Sequence, residues 1–172
     1  MVVALGGKKQ NKVKEAGSDA KASAVKELKI VATQVITKEK VLQTPRLIAL
    51  LYLIKRFGAV HERTLQFIMN YLQEKGAELG YQFTRLGNDP YSPALKNDIV
   101  ALLYTGLAEA EPRYRKIRVT SDGREVLESI SVPSSFKELL ETNFSEIKSK
   151  ASMIDAEIDF GIRKSNKLLK KR

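Results

Sequence analysis

The chain has 172 residues, enough for one domain of about 100 residues with extensions, and its 43% apolar and 29% charged content is that of an ordinary globular protein. It contains no cysteine and a single histidine, which removes disulfides, zinc fingers and thiol catalysis. The net charge of +10 is uneven: residues 1–43 carry nine Lys against four acids, residues 44–131 twelve basic against ten acidic residues, and residues 132–172 nine against six. Basic tails around a nearly balanced centre suit a protein that holds a polyanion, although a charge-rich solvated surface has the same composition.

Residues 1–22 are rich in Lys, Gly, Ala and Ser and read as a disordered basic arm. Their apolar run is too short for a secretory signal and is followed by lysines. No stretch approaches the roughly 18 to 20 apolar residues of a membrane span; the longest, Leu47–Ile54, is bounded by Arg46 and Lys55. No membrane partner and a cytoplasmic location are therefore expected. Residues 23–43 form an N-terminal extension. Its spacing fits a helix to about Ala32, while Val31 to Ile36 fits a short strand equally well.

The central region, 44–131, opens with Thr44 as a helix N-cap and Pro45 at the first helical position. Leu47, Leu50, Leu51, Ile54 and Phe57 make one apolar face, and Gly58 stops the helix. A second helix runs from about Val60 to Lys75, with Leu65, Ile68, Met69 and Leu72 inward and Gly76 at its end. Tyr81 to Leu86 alternates like a half-buried strand, and Gly87-Asn-Asp-Pro90 is a turn. Ser92 followed by Pro93 opens a third helix. Leu95, Ile99, Leu102 and Leu103 face its core side, Lys96, Asn97, Val100 and Tyr104 the other, and Gly106 closes it. A hairpin follows, with Pro112 and Arg113 near the turn and Lys116 and Arg118 on the face opposite Ile117 and Val119. Ser121 is expected to cap a fourth helix containing Val126 and Leu127.

Pro133 marks a boundary, and Ser135 with Glu138 reads as a capping box for one long helix over 132–172. Phe136, Leu140, Phe144, Ile147, Ala151, Ile154, Ile158 and Ile162 recur at steps of three and four. Such a stripe is long for a small core, which points to a coiled-coil contact with a second copy through Phe136, Leu140, Phe144, Ile147, Ile154 and Ile158. Packing back onto the domain is the alternative. Lys164, Lys167, Lys170, Lys171 and Arg172 suit the C-terminal end of the helix dipole.

Catalysis has little to work with. His61 reads as a surface residue beside Glu62 and Arg63, Asp89 falls in a turn and Asp98 on a helix surface. Gly87-Asn-Asp-Pro lacks the glycines and lysine of a phosphate loop. Neither an enzyme nor a metal or cofactor site is expected. Nucleic-acid binding has better candidates. Lys96 and Asn97 are placed to reach bases or phosphates. Arg113, Arg115, Lys116 and Arg118, four cations within six positions, are placed to contact the backbone or a minor groove. The alternative is that the hairpin cations solubilise and guard an edge strand. Gly76 to Ser92, between helices two and three, is also much longer than the 3–4-residue turn of a helix-turn-helix.

The stretch Arg46–Ser129 resembles the winged-helix superfamily. Its ending, IRVTSDGREVL over Ile117–Leu127, is similar to the I-x-L-T-x-x-G-x-x-x-L ending of MarR-like and PadR-like regulators. More narrowly, Leu50-Leu-Tyr-Leu-Ile54, Tyr81-Gln-Phe83, Pro90-Tyr-Ser-Pro-Ala-Leu95 and Gly106-Leu107 resemble the YwgA-like and phage-associated (Panacea) proteins, with their LLYLL helix, Y-x-F strand, G-P-Y-S turn and G-L-I exit. Asp89 stands where that group has Gly, and Ala108 where it has Ile. The resemblance implies a strand between helices two and three, and it includes antitoxin-like, protein-binding members. The expectation is a mainly α chain with a small β wing (α+β), binding double-stranded DNA as a transcriptional regulator or chromatin-associated factor, and homodimeric through its last helix. A protein-docking module and a ribosome- or RNA-associated protein are the alternatives.

Overall fold

The computed structural model describes residues 37–169. The basic arm, most of the N-terminal extension and the terminal Lys170, Lys171 and Arg172 lie outside the described residues. A short helix α1 (Lys38–Leu42) precedes α2 (Pro45–Phe57). Thr44 does occupy the N-cap, but its hydroxyl makes no capping bond and donates instead to the Lys40 carbonyl at 2.9 Å. Helix α2 buries Leu47 through Leu51 with Leu53 and Ile54. A helix that is apolar on nearly all sides belongs at the centre of a core. It stops at Gly58, whose φ of 90° is open to glycine at no steric cost.

Strand β1 (Ala59–Val60) takes the residue expected to start the second helix, so α3 runs Glu62–Glu74 from an N-cap at His61. Leu65, Ile68, Met69 and Leu72 are buried as their spacing requires. The segment expected as one strand is shorter and paired. β2 (Thr84–Leu86) forms an antiparallel hairpin with β3 (Asp89–Tyr91), in register Thr84 with Tyr91 and Leu86 with Asp89. Tyr81, at the head of that segment, is tied to α3 rather than to a strand. Gln73 Nε2 donates to its carbonyl at 2.6 Å, and its own N–H donates to Gln73 Oε1 at 3.1 Å. Asp89 and Pro90, read as part of a turn, form the return strand together with Tyr91.

Helix α4 (Pro93–Tyr104) leads into β4 (Ala108–Ala110) and β5 (Ile117–Val119). β5 is the middle of a three-stranded antiparallel sheet in the order β1-β5-β4, with Arg118 opposite both Ala59 and Glu109. Helix α5 (Ser121–Ser129) is capped by Thr120, one residue earlier than expected, whose hydroxyl oxygen accepts from Gly123 N. That hydroxyl also donates to the Gly106 carbonyl at 2.7 Å. Gly123 has a packing reason: a Cβ there would sit 2.1 Å from the Leu107 carbonyl oxygen.

Helix α6 (Ser134–Leu169) is 36 residues, about 54 Å at 1.5 Å per residue. It packs along α3 within the same unit as the rest of the described chain. Phe136, Leu140, Ile147 and Ala151 are buried in the common core, and Phe144 stacks on Phe57 with ring centroids 5.2 Å apart. The expected contact of Phe136, Leu140 and Ile147 with a second copy is therefore corrected, since their own domain buries them. Phe144 is half-buried. Ile154 and Ile158 are half-buried. On the outward side, Met153 and Phe160 are both 71% exposed. The chain is thus mainly helical with a small antiparallel sheet and a long C-terminal helix. No helix among the described residues is long and apolar enough to cross a membrane.

Candidate nucleic-acid interface

Helix α4 is held by its buried side. Ser92 caps its N-terminus, accepting from Leu95 N. Its backbone is gripped by the buried Gln66 of α3, which accepts from Ser92 N at 2.9 Å and donates to Ser92 O at 3.2 Å. Both backbone groups at the helix entrance are satisfied without water. One turn on, Asp98 corrects its reading as a helix-surface acid. It is 6% exposed, accepts from the Tyr81 hydroxyl at 2.8 Å and from Arg46 Nη2 at 3.1 Å, and Arg46 Nε lies 2.8 Å from its other oxygen. Burial, then the Asp98 charge and its hydrogen bond, push the Tyr81 hydroxyl far above its ordinary pKa. A buried carboxylate needs such partners. Lys96 and Asn97 on the other side are exposed, as are Val100 and Tyr104.

The β4–β5 hairpin divides its cations into two kinds. Arg118 pairs across the strands with Glu109 at 2.8 Å, and Lys116 reaches Asp159 of α6 at 2.9 Å. Arg113 and Arg115, in the loop between the strands, are exposed, and no ion pair among the described residues uses them. The loop is closed by two backbone bonds, Glu111 N to Lys116 O at 2.7 Å and Arg115 N to Glu111 O at 2.8 Å. Arg115 takes a left-handed backbone, φ 56°, a conformation rare outside glycine. Of the six residues expected to meet nucleic acid, Lys96 and Asn97 share one helix face and Arg113 and Arg115 one loop, while Lys116 and Arg118 are ion-paired within the protein, Arg118 at an exposed position.

His61, expected at the surface, is buried instead. It is 5% exposed, with Nε2 2.9 Å from Asp159 Oδ1. Its backbone N–H donates to Asp155, which also accepts from the Thr64 hydroxyl. Two acids one turn apart on α6 thus serve the N-terminal turn of α3, where a helix dipole favours negative charge. Burial raises the Asp159 pKa, but hydrogen bonds from Lys116 and His61 outweigh it and hold the carboxyl below its usual range. Sequence spacing carried no signal for this cluster, since its members lie on three separate elements. Among the described residues no group of three or more His, Asp or Glu is placed to hold a metal ion. Comparison of the chain with protein-family models, with curated proteins and with solved structures yields no match.

Proposed function

We propose that the chain is a winged-helix protein that binds double-stranded DNA, with α4 as the recognition helix and the β4–β5 hairpin as the wing. The element order supports the reading: helix α2, strand β1, helices α3 and α4, then a hairpin completing the β1-β5-β4 sheet. The β2–β3 hairpin between α3 and α4 is an insertion in that plan. The observation that carries the DNA reading is the division of the hairpin cations. Lys116 and Arg118 are ion-paired, whereas Arg113 and Arg115 at the tip face solvent. Exposed arginines on a protruding loop are suited to phosphates and minor grooves. Two half-sites require two copies, and α6 leaves Met153 and Phe160 on its outward side for a homodimer.

A second reading, a protein-docking module, is favoured by one feature: Val100 and Tyr104 on the outward side of α4 are 52% and 73% exposed. Anisotropy titrations of duplex DNA and duplex RNA across a salt series separate the two. The DNA reading expects binding that falls steeply with salt, and a slope shallower by about 2 in Arg113→Ala/Arg115→Ala. Salt-independent or absent binding to both duplexes favours docking.

A further inference from the structure

The hairpin tip and the last third of α6 face each other across an open cleft of about 650 Å³. Arg113 and Arg115 line it from the hairpin, and Gly161, Ser165 and Asn166 from α6. No carboxylate among the described residues lines it. The acids nearest along α6 are turned elsewhere: Asp159 to His61 and Lys116, Asp155 to the start of α3, Glu157 toward Arg63. Next to the cleft the Tyr114 ring is within reach of two guanidinium groups, with Arg113 Cζ 5.3 Å and Arg163 Cζ 5.7 Å from its centroid. The helix thus brings a third arginine to the tip of the wing.

Gly161 is the informative residue. A glycine inside a helix lowers its stability relative to alanine, and this one lines the cleft. No neighbour demands it, because a Cβ at Gly161 would meet nothing within 4 Å. The absent side chain leaves room on the α6 side of a cleft whose other side carries the two arginines. The left-handed Arg115, held by its bond to Glu111, is a second local cost at the same place, and such costs collect at binding sites.

We propose that this cleft is a phosphate site. It takes a backbone phosphate of the bound duplex, with Arg113 and Arg115 as charge-assisted donors and the Ser165 hydroxyl and Asn166 amide as neutral ones. Helix α6 is then part of the nucleic-acid surface, and the wing and the long helix close on one strand together. This assignment rests on the DNA reading above, and a free polyphosphate shares the chemistry, so the experiment uses both probes.

Full-length protein is titrated with a labelled duplex across a salt series, and ¹⁵N-labelled protein with inorganic tripolyphosphate. The variants are Gly161→Leu, which fills the cleft without changing charge and favours the helix, Asn166→Asp, which places a carboxylate in it, and Arg113→Ala/Arg115→Ala. The site predicts roughly tenfold weaker duplex binding for Gly161→Leu, the loss of one charge-assisted contact, with unchanged helix content. It also predicts a similar loss for Asn166→Asp, and tripolyphosphate shifts at the Gly161 and Asn166 amides in wild type. Duplex binding at wild-type strength by both cleft variants, alongside weakened binding by the arginine variant, overturns the cleft and leaves the DNA reading standing. Tripolyphosphate shifts in the cleft without duplex binding keep the phosphate site and overturn the DNA reading. Neither signal in wild type overturns both.

Discussion

His61 and Asp159 stand 98 positions apart in the chain and meet at 2.9 Å. The contact joins the start of α3 to the far half of α6, and the same carboxylate reaches Lys116 of the hairpin at 2.9 Å. Beyond Ala151 the stripe of α6 is only half-buried, so polar bonds take over from apolar packing in holding the helix down. One acid therefore ties together three elements, and it fixes the β4–β5 hairpin against α6.

Replacing Asp159 by Asn keeps the shape and removes the charge. Lys116 and His61 then lose their anionic partner in a partly buried setting, a loss of about 1–3 kcal/mol. A thermal melt followed by circular dichroism should show a lower midpoint, and hydrogen exchange should show the far half of α6 opening first. The pH dependence has a definite sign. Because the folded carboxyl titrates below its ordinary value, its stabilisation is present above the unfolded value of about 3.9 and is lost as pH falls through the depressed folded value. Wild type should lose this increment in acid, and Asp159→Asn should lack that part of the decline. Identical acid profiles for the two proteins would show that the carboxylate contributes nothing.

Gly123→Ala tests the junction between the hairpin and α5. The added methyl would lie 2.1 Å from the Leu107 carbonyl oxygen and 2.7 Å from Val119 Cγ1. The first neighbour is backbone in a turn held by the Thr120 hydroxyl, so it cannot swing away. Overpacking of this kind costs about 1–3 kcal/mol or more. Denaturant unfolding should show a lower midpoint with little change in slope. A variant as stable as wild type would mean that α5 is free to move off the sheet.

What the sequence makes legible follows from how local each signal is. Pro45, Gly58, Ser92 with Pro93, and the runs of core leucines mark α2 and α4 because caps, stops and periodicity act within a few residues. The hairpin and its cations are legible for the same reason. His61 and Asp98 are not. A polar side chain on a helix is read as outward-facing, and what turns these two inward is a partner far along the chain: Asp159 for one, Tyr81 and Arg46 for the other. Strand β1 is too short for an alternating pattern and exists because β5 lies beside it. The apolar stripe of α6 is visible, but whether it meets a copy or its own domain depends on how much flank α3 exposes, which no local pattern states. The division of the hairpin cations depends likewise on Glu109 and Asp159.

Leu140→Ala and Ile147→Ala separate intrachain packing from dimerisation. Both residues are fully buried by the chain's own core, so each truncation should cost about 2–5 kcal/mol of folding stability. At concentrations where the variants remain folded, sedimentation should show the oligomeric state of wild type. Met153→Ser/Phe160→Ser, on the outward side, should change stability little and is the variant expected to shift any dimer toward monomer. A loss of dimer in Leu140→Ala without a stability cost would place the second copy on the stripe after all.

The Arg46–Asp98–Tyr81 network sets how α4 presents Lys96 and Asn97, because Asp98 lies on the same helix as both. Asp98→Asn leaves Arg46 without its carboxylate while the amide oxygen can still accept from Tyr81, so a destabilisation of about 1–3 kcal/mol is expected. Tyr81→Phe removes the other contact, and the two changes should be non-additive in a double-mutant cycle, since the bond from Tyr81 is charge-assisted to Asp98 and only a weaker neutral one to the amide. The Tyr81 hydroxyl is held neutral in the fold by burial and by the neighbouring Asp98 charge. Its folded pKa is above the unfolded value of about 10, so its contribution is complete below that pH and declines as pH rises beyond it. Wild type should therefore destabilise more steeply than Tyr81→Phe in alkali. Additive single changes and matching alkaline profiles would mean that Asp98 and Tyr81 are neighbours without an energetic bond, and that α4 takes its angle from the Gln66 clasp on Ser92 alone.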